Sequence, residues 1–314
     1  MPNVIEETKC KTAAEFVALL RKSHEMWWDD DSDECHWIFR GQWQVSWPLL
    51  PLAWRPDVRT SFVSLRDRIS CLPWETGIGD GVGIEERHVW TQTNTEVEAI
   101  LQFHGLCDSL GFQLRKPEAS RPLLSGKQSS FLQELSDECL TVASLAQHHG
   151  IPTRLLDWTS KPMCAAFFAV AHRFRSAQRF RGPTGVWAVH LQRLDELMRH
   201  QTHALNTWIT TVEPYRPAQF DNPFLRAQGG LFLRILHPTQ AYQKHGTWPT
   251  VDSVVIDLAE RAAYEKTVLR KIVLPQSQAD EVLRTLDKED INDAILMPTM
   301  DMVGATIQSR WCRE

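Results

Sequence analysis

Apolar positions recur along this chain at two spacings, every third or fourth residue and every second, and together they mark out its elements. Residues 11–28 carry Phe16, Leu19 and Leu20 on one helical face, with His24 beside them, which predicts an amphipathic helix. An acidic break over 29–34 leads into a short apolar strand at 36–41 that ends in Arg40-Gly41. Pro48, Pro51 and Pro56 keep the next stretch extended or turning. Residues 72–95 are rich in Gly and Thr and read as a long loop or insertion, whereas 94–112 and 128–148 have helical period. A brief strand at 153–158 follows. Pro162 then stands in the first turn of a helix, with Thr159 or Ser160 available as its cap and Met163, Ala166, Phe167, Val170 and Phe174 as its buried stripe. Further strands are expected at 185–191, 231–236, 253–258 and 268–274, a helix at 280–286 and a last short strand at 295–297.

Helical and extended segments mix without a βαβ rhythm, and neither GxGxxG nor GxxxxGK[ST] occurs. That pattern points away from Rossmann and P-loop folds and toward an α+β domain. No internal repeat divides the chain. The expected organisation is an N-terminal helical segment over 1–34, one domain over 35–305 with a helical insertion at about 58–130, and a tail over 306–314.

Composition changes this picture little. A formal net charge of −5 gives no global pull toward nucleic acid. Locally, however, Arg173, Arg175, Arg179 and Arg181 interleave with Phe174 and Phe180, a pattern that suits phosphate pairing and base stacking on a single strand as well as it suits a solvated face. Cys10, Cys35, Cys71, Cys107, Cys139, Cys164 and Cys312 are dispersed without a CxxC pair, which argues for a reducing cytosol over a disulfide framework. The polar, acidic start is unlike a signal peptide, and no stretch is apolar enough to span a bilayer, so a cytoplasmic protein is expected. Trp37, Trp43, Trp47 and Trp54 are placed to wall a groove beside Arg40.

The densest chemistry lies at 146–159, where His148, His149, Thr153, Arg154, Asp157 and Thr159 crowd together just before the apolar helix. Polar groups at the edge of a buried segment either satisfy one another or hold a ligand. Arg40 has the same two readings, a structural lock to Asp157 or a ligand anchor. His148 and His149 suit a helix C-terminus as well as a site. Arg154 and Asp157 point to opposite faces of a strand, so at most one enters a given cleft. With neither HExxH nor CxxC beside the histidines, no metal is expected.

Three segments together resemble the FRG-domain family, named for the tripeptide that stands here as Phe39-Arg40-Gly41. The first runs from Trp37 to Gln42 with Trp47-Pro48-Leu49 and Arg55; the second is the 146–159 run with its helix; the third is Arg226-Ala227-Gln228-Gly229-Gly230-Leu231-Phe232 with a C-terminal tail from Lys271 to Asp301. The resemblance spans about residues 35–305. The layout is similar to that of ADP-ribosyltransferases, which implies a split β-sheet core with flanking helices and NAD as substrate. On that resemblance Phe39, Arg40, Gly41, Thr153, Arg154 and Thr159 bind NAD, and Arg40, His149, Asp157 and Gln228 form the catalytic set. It further implies a toxin or effector, as in bacterial phage defence or a toxin–antitoxin module, with an antitoxin protein as partner and RNA, DNA or protein as acceptor.

Cleaving the nicotinamide–ribose bond builds oxocarbenium character, and a guanidinium can hold the diphosphate bidentately at any working pH. A fixed carboxylate or amide stabilises the transition state, and Asp157 or His149 can activate the acceptor. Gln228 is neutral and takes no proton, which leaves Glu213 and Glu265 as substitutes for the usual glutamate. The rival functions are a non-catalytic nucleotide- or nucleic-acid-binding module and a nucleic-acid hydrolase working through His149 and Asp157.

Overall fold

The computed structural model describes residues 4–29, 33–58, 60–71, 84–114, 116–117, 135–171, 182–202, 209–219 and 222–311. In chain order the elements are β1 (Ile5–Lys9), α1 (Ala13–Leu19), β2 (Trp37–Gln42), α2 (Thr60–Ser70), α3 (Ile84–Ser109), α4 (Asp137–His148), β3 (Leu156–Thr159), α5 (Pro162–Val170), β4 (Thr184–His190), α6 (Leu191–Thr202), β5 (Thr211–Tyr215), α7 (Pro223–Gln228), β6 (Gly230–Leu236), α8 (Pro238–His245), α9 (Val251–Ala262), β7 (Leu269–Leu274), α10 (Ala279–Lys288), α11 (Asp293–Leu296) and α12 (Met300–Trp311). The strands form one sheet in the order β1-β7-β4-β2-β3-β6-β5. β1 and β7 run parallel and every other neighbouring pair runs antiparallel, so the sheet is mixed and the fold α+β. Among the described residues no helix is long and apolar enough to cross a membrane.

Alternation along the strands gives the sheet two buried faces. Ile38, Leu156, Trp158, Trp187, Leu231 and Leu269 point to one side, where α2, α6 and α9 cover them. Phe39, Val186, Ala188, Ile272 and Leu274 point to the other, under α1, α5 and α10. Phe232 lies on that second side too, but beneath α3 and α4. Phe39 is fully buried and meets the Trp27 ring edge-on at 4.7 Å; a side chain sunk this far stabilises by roughly 1.5–3 kcal/mol.

Helix α5 sits directly on β2, and the sequence permits this at Gly41. A Cβ built there would lie 2.1 Å from the Ala165 carbonyl oxygen and 2.5 Å from the Ala169 nitrogen, both of them backbone atoms that cannot swing away. Gly41→Ala is therefore expected to destabilise the fold by on the order of 3 kcal/mol, read as a lowered urea midpoint; an unchanged midpoint would show that the helix lies further from the strand.

Four elements differ from the sequence pattern. The 1–34 segment is not wholly helical: its first element is β1, an edge strand with charged side chains outward, and the helix that follows stops at Leu19. Residues 253–258, with the β-branched run of a strand, lie inside α9, where Val251, Val254, Val255, Leu258 and Ala259 make a helical stripe behind a Thr250–Ser253 capping box. Residues 295–297 are not a strand either: Ile295 and Leu296 end the one-turn helix α11, capped by Asn292, with Met297 as its C-cap. Within 72–95, residues 84 onward belong to α3, while 72–83 lie outside the described residues.

Candidate active site

The sheet parts between β2 and β3. Along β4, β2 keeps register for six residues, from Trp37 with His190 to Gln42 with Gly185. Along β3 it keeps only one pair, Phe39 with Thr159. Arg40 bridges the two strands beyond that pair: its Nη1 donates to the Asp157 carbonyl oxygen at 2.7 Å and stands 3.7 Å from Asp157 Oδ2. The Arg40 side chain is 15% exposed, whereas the Asp157 side chain is 52% exposed. Arg40 Nε is buried without a partner, so the guanidinium keeps an unused donor. Burial pulls this group down to about 10, Asp157 holds it up, and Arg55 adds to the fall. It stays charged at neutral pH.

Arg55 is the residue that sequence reasoning left without a role. It follows the 3-10 turn Leu52–Trp54, and its Nε donates to the Leu50 carbonyl at 2.9 Å. Burial lowers its pKa while Asp57 and Asp157 raise it, so it shares the field of Asp157 with Arg40. Two guanidinium groups thus lie in the field of Asp157, and Arg55 also lies in that of Asp57. The available signal was the Trp54-Arg55-Pro56 step, where proline fixes the extended backbone that turns Arg55 inward. Trp54 is held in turn by stacking on Trp248 at 4.8 Å.

The end of α4 brings in both histidines. His148 lies against Phe224 and Phe232, with ring centroids at 6.0 and 6.4 Å, and its Nε2 is buried without a partner. Burial pushes its pKa down, opposed by Asp157 and assisted by His149. His149 is the exposed C-cap, stacked on Phe103 of α3 at 6.1 Å and edge-on to Phe224 at 6.3 Å. Arg40, Arg55 and His148 therefore all feel the charge of Asp157 near the place where β2 and β3 separate, and His149 follows His148 at the end of α4.

The other sequence candidates sit in the frame around it. Phe39 and Gly41 face α5, across the sheet from Arg40. Thr153 Oγ1 bonds Gln147 and accepts from the Leu155 amide, which closes the turn into β3. Arg154 is buried: its Nε donates to Glu96 Oε2 at 2.6 Å and its Nη2 to Thr93 at 3.1 Å. Thr159 Oγ1 donates to the Gln228 carbonyl at 2.5 Å and accepts from the Lys161 amide, so the cap of α5 is Lys161 with Thr159 behind it. Gln228 is the last residue of α7, and its Nε2 donates to the Leu296 carbonyl at 3.1 Å. Glu213 pairs with Arg234 at 3.2 Å at the β5 edge of the sheet, near the start of α4. Phe174, Arg173, Arg175, Arg179 and Arg181 lie outside the described residues. A cavity of about 570 Å³ between α8 and α9 shares no lining residue with the Arg40 region.

His148 and His190 both have pKa values pushed below 6.5, first of all by burial. The unfolded chain binds protons on these rings at a pH where the folded protein does not, so stability falls as the pH drops from about 6.5. The carboxylates held low, Glu7, Asp29 and Glu196, act further down, below about 4.5. Each ring contributes at most about 1.4 kcal/mol per pH unit. Urea unfolding at pH 7.0 and 5.5 is expected to show a loss on acidification that shrinks in His148→Gln; an equal loss in that variant would contradict the assignment.

Residues 116–178 match the family model of the FRG domain, a stretch that takes in α4, β3 and α5 with His148, His149 and Asp157. The chain carries an FRG domain. No curated protein and no solved structure matches the sequence. The matched stretch supplies the carboxylate and histidine side of the polar region, and β2 with the turn after it supplies the guanidinium side. The FRG stretch alone is therefore half of this site; the residues that complete it, Arg40 and Arg55, precede it in the chain by more than half its length.

Proposed function

We propose that this protein is an NAD-dependent ADP-ribosyltransferase. The observation that carries the reading is the Arg40 guanidinium at the parting of β2 and β3, with a buried and unused donor, set against the exposed Asp157 carboxylate whose field Arg55 shares. Arg40 and Arg55 hold the two phosphates of the dinucleotide, each by charge-assisted hydrogen bonds. Asp157 stands at the ribose side. The bond from ribose C1′ to the nicotinamide nitrogen breaks, nicotinamide leaves with the electron pair, and the acceptor nucleophile bonds to C1′. The acceptor's proton passes to Asp157 or to the exposed ring of His149. Backbone and side-chain locks at Thr153, Arg154, Thr159 and Gln228 keep these groups fixed, which is what transition-state stabilisation by fixed charges requires.

The wider part of the proposal, an intracellular toxin or effector of bacterial phage defence countered by an antitoxin, rests on the FRG resemblance. A nucleic-acid acceptor is favoured by Arg173, Arg175, Arg179 and Arg181 in the sequence. The second reading, a module that binds nucleotide without turning it over, is favoured by the Gln228 amide, which is engaged with Leu296 instead of standing at the ribose. Incubation with labelled NAD and separate pools of RNA, DNA and protein tests both. Label transferred to one pool with release of nicotinamide supports the transferase. Saturable NAD binding with no nicotinamide released supports the module, and neither signal would end both readings.

A further inference from the structure

We propose that α12 is a dimerisation surface whose partner is the same helix of a second copy, packed antiparallel. The helix is held to the protein by one face only. Thr306 is buried and its Oγ1 accepts from the Ala294 amide at 3.0 Å, and Arg310 makes two 3.0 Å hydrogen bonds to Asp287. The opposite face points to solvent, with Met300 88%, Ile307 42% and Trp311 68% exposed and Val303 at their flank 42% exposed. At 3.6 residues per turn, Met300, Gly304, Ile307 and Trp311 fall on one line, and their four-three-four spacing is that of a two-helix seam.

Gly304 selects the partner. A glycine inside a helix is costly in backbone entropy, and here it answers no close approach within the chain, since an added Cβ would meet nothing within 4 Å. A two-fold axis between residues 305 and 306 gives it a use. That symmetry sets Gly304 against the partner's Ile307 and Met300 against the partner's Trp311, so that each bulky side chain faces a smaller one. Flanks of the same kind meet in an antiparallel pair: Asp301 comes beside the partner's Gln308, and Val303 beside the aliphatic stem of the partner's Arg310, so no like charges oppose. A parallel pair would instead stack the two Trp311 rings and leave a void between two glycines. The stripe is only roughly 17 Å long, which suits a reversible dimer in the micromolar range better than a permanent one.

Sedimentation velocity of the full chain between about 1 and 200 µM tests the proposal. The wild type is expected to pass from monomer to dimer, and Ile307→Glu to raise the dissociation constant at least about tenfold. Gly304→Leu separates this surface from a merely sticky one: it adds apolar area yet fills the slot for the partner's Ile307, so it should also weaken the dimer. Circular dichroism and a thermal melt check that both variants keep the fold, as expected for outward-facing positions. A wild type monomeric throughout, an Ile307→Glu variant that still dimerises, or a Gly304→Leu variant that associates more tightly would each overturn it.

Discussion

On the transferase reading, replacing Arg40 with alanine is expected to lower NAD turnover by about 10²–10³-fold, the cost of removing one fixed charged donor from a charge-stabilised transition state. The structure also gives Arg40 a structural duty, since its Nη1 ties β2 to the Asp157 carbonyl at 2.7 Å. One such hydrogen bond contributes about 1–2 kcal/mol, so the variant should melt a few degrees lower yet remain folded. The two duties separate in Arg40→Lys, which keeps a charge and one donor but loses the fork that spans two acceptors. Lysine should restore most of the stability and little of the turnover. On the transferase reading, Arg55→Ala is expected to raise KM for NAD more than it lowers kcat, as for a guanidinium that would hold the dinucleotide alike in ground and transition states. Nicotinamide release, followed beside thermal melts, reads all three variants. Wild-type turnover in Arg40→Ala would remove the basis of the transferase reading.

The largest loss of stability is expected from Glu96→Ala. Glu96 is 1% exposed and accepts three hydrogen bonds, from Trp54 Nε1 and Gln92 Nε2 at 2.9 Å each and from Arg154 Nε at 2.6 Å. Arg154 is itself buried beside the Trp54 ring, 5.9 Å from its centroid. Removing the carboxylate strands a guanidinium away from water, which typically costs about 3–5 kcal/mol. The damage should reach the polar region, because Trp54 immediately precedes Arg55 and Arg154 opens the path into β3. Replacing both members of the pair, Glu96→Gln with Arg154→Met, should recover part of the loss, since no charge is then left unpaired. Urea denaturation of the single and double variants measures this, and a Glu96→Ala loss below about 1 kcal/mol would contradict the account.

How much of this was legible in the chain depended on where each partner lies. β2, β4, β6 and β7 stood out as apolar runs because both faces of the sheet are covered there. β1 and β5 did not: they are the two edges, with sequences IEETK and TVEPY whose charges and proline look like loop. In α9 two readings competed for Ser253-Val254-Val255-Ile256-Asp257-Leu258. The β-branched run suggested a strand, while burial of Val251, Val254, Val255 and Leu258 decided for a helix. At the site, Arg40, His148, His149 and Asp157 drew attention as polar groups at the edges of apolar segments, and the fold gathers them. Arg154 looked the same from sequence, but its partner Glu96 is 58 residues away in the stretch read as an insertion, and no local pattern announces such a pair. That stretch is therefore no passive loop, because α3 supplies both the buried carboxylate and the ring under His149.

The pairing of β1 with β7 bears on how the chain is made. Glu6 and Arg270 form an ion pair across 264 residues, and β7 is the strand that joins β1 to β4. During translation β1 has no place to dock until β7, 264 residues further on, has emerged, and until then β4 offers an open edge. Contacts of such long range slow folding and leave unfinished chains prone to edge-to-edge aggregation. A ribosome that halts before β7 thus releases a fragment lacking two strands of the sheet, with β4, the neighbour of β2, left as an uncovered edge.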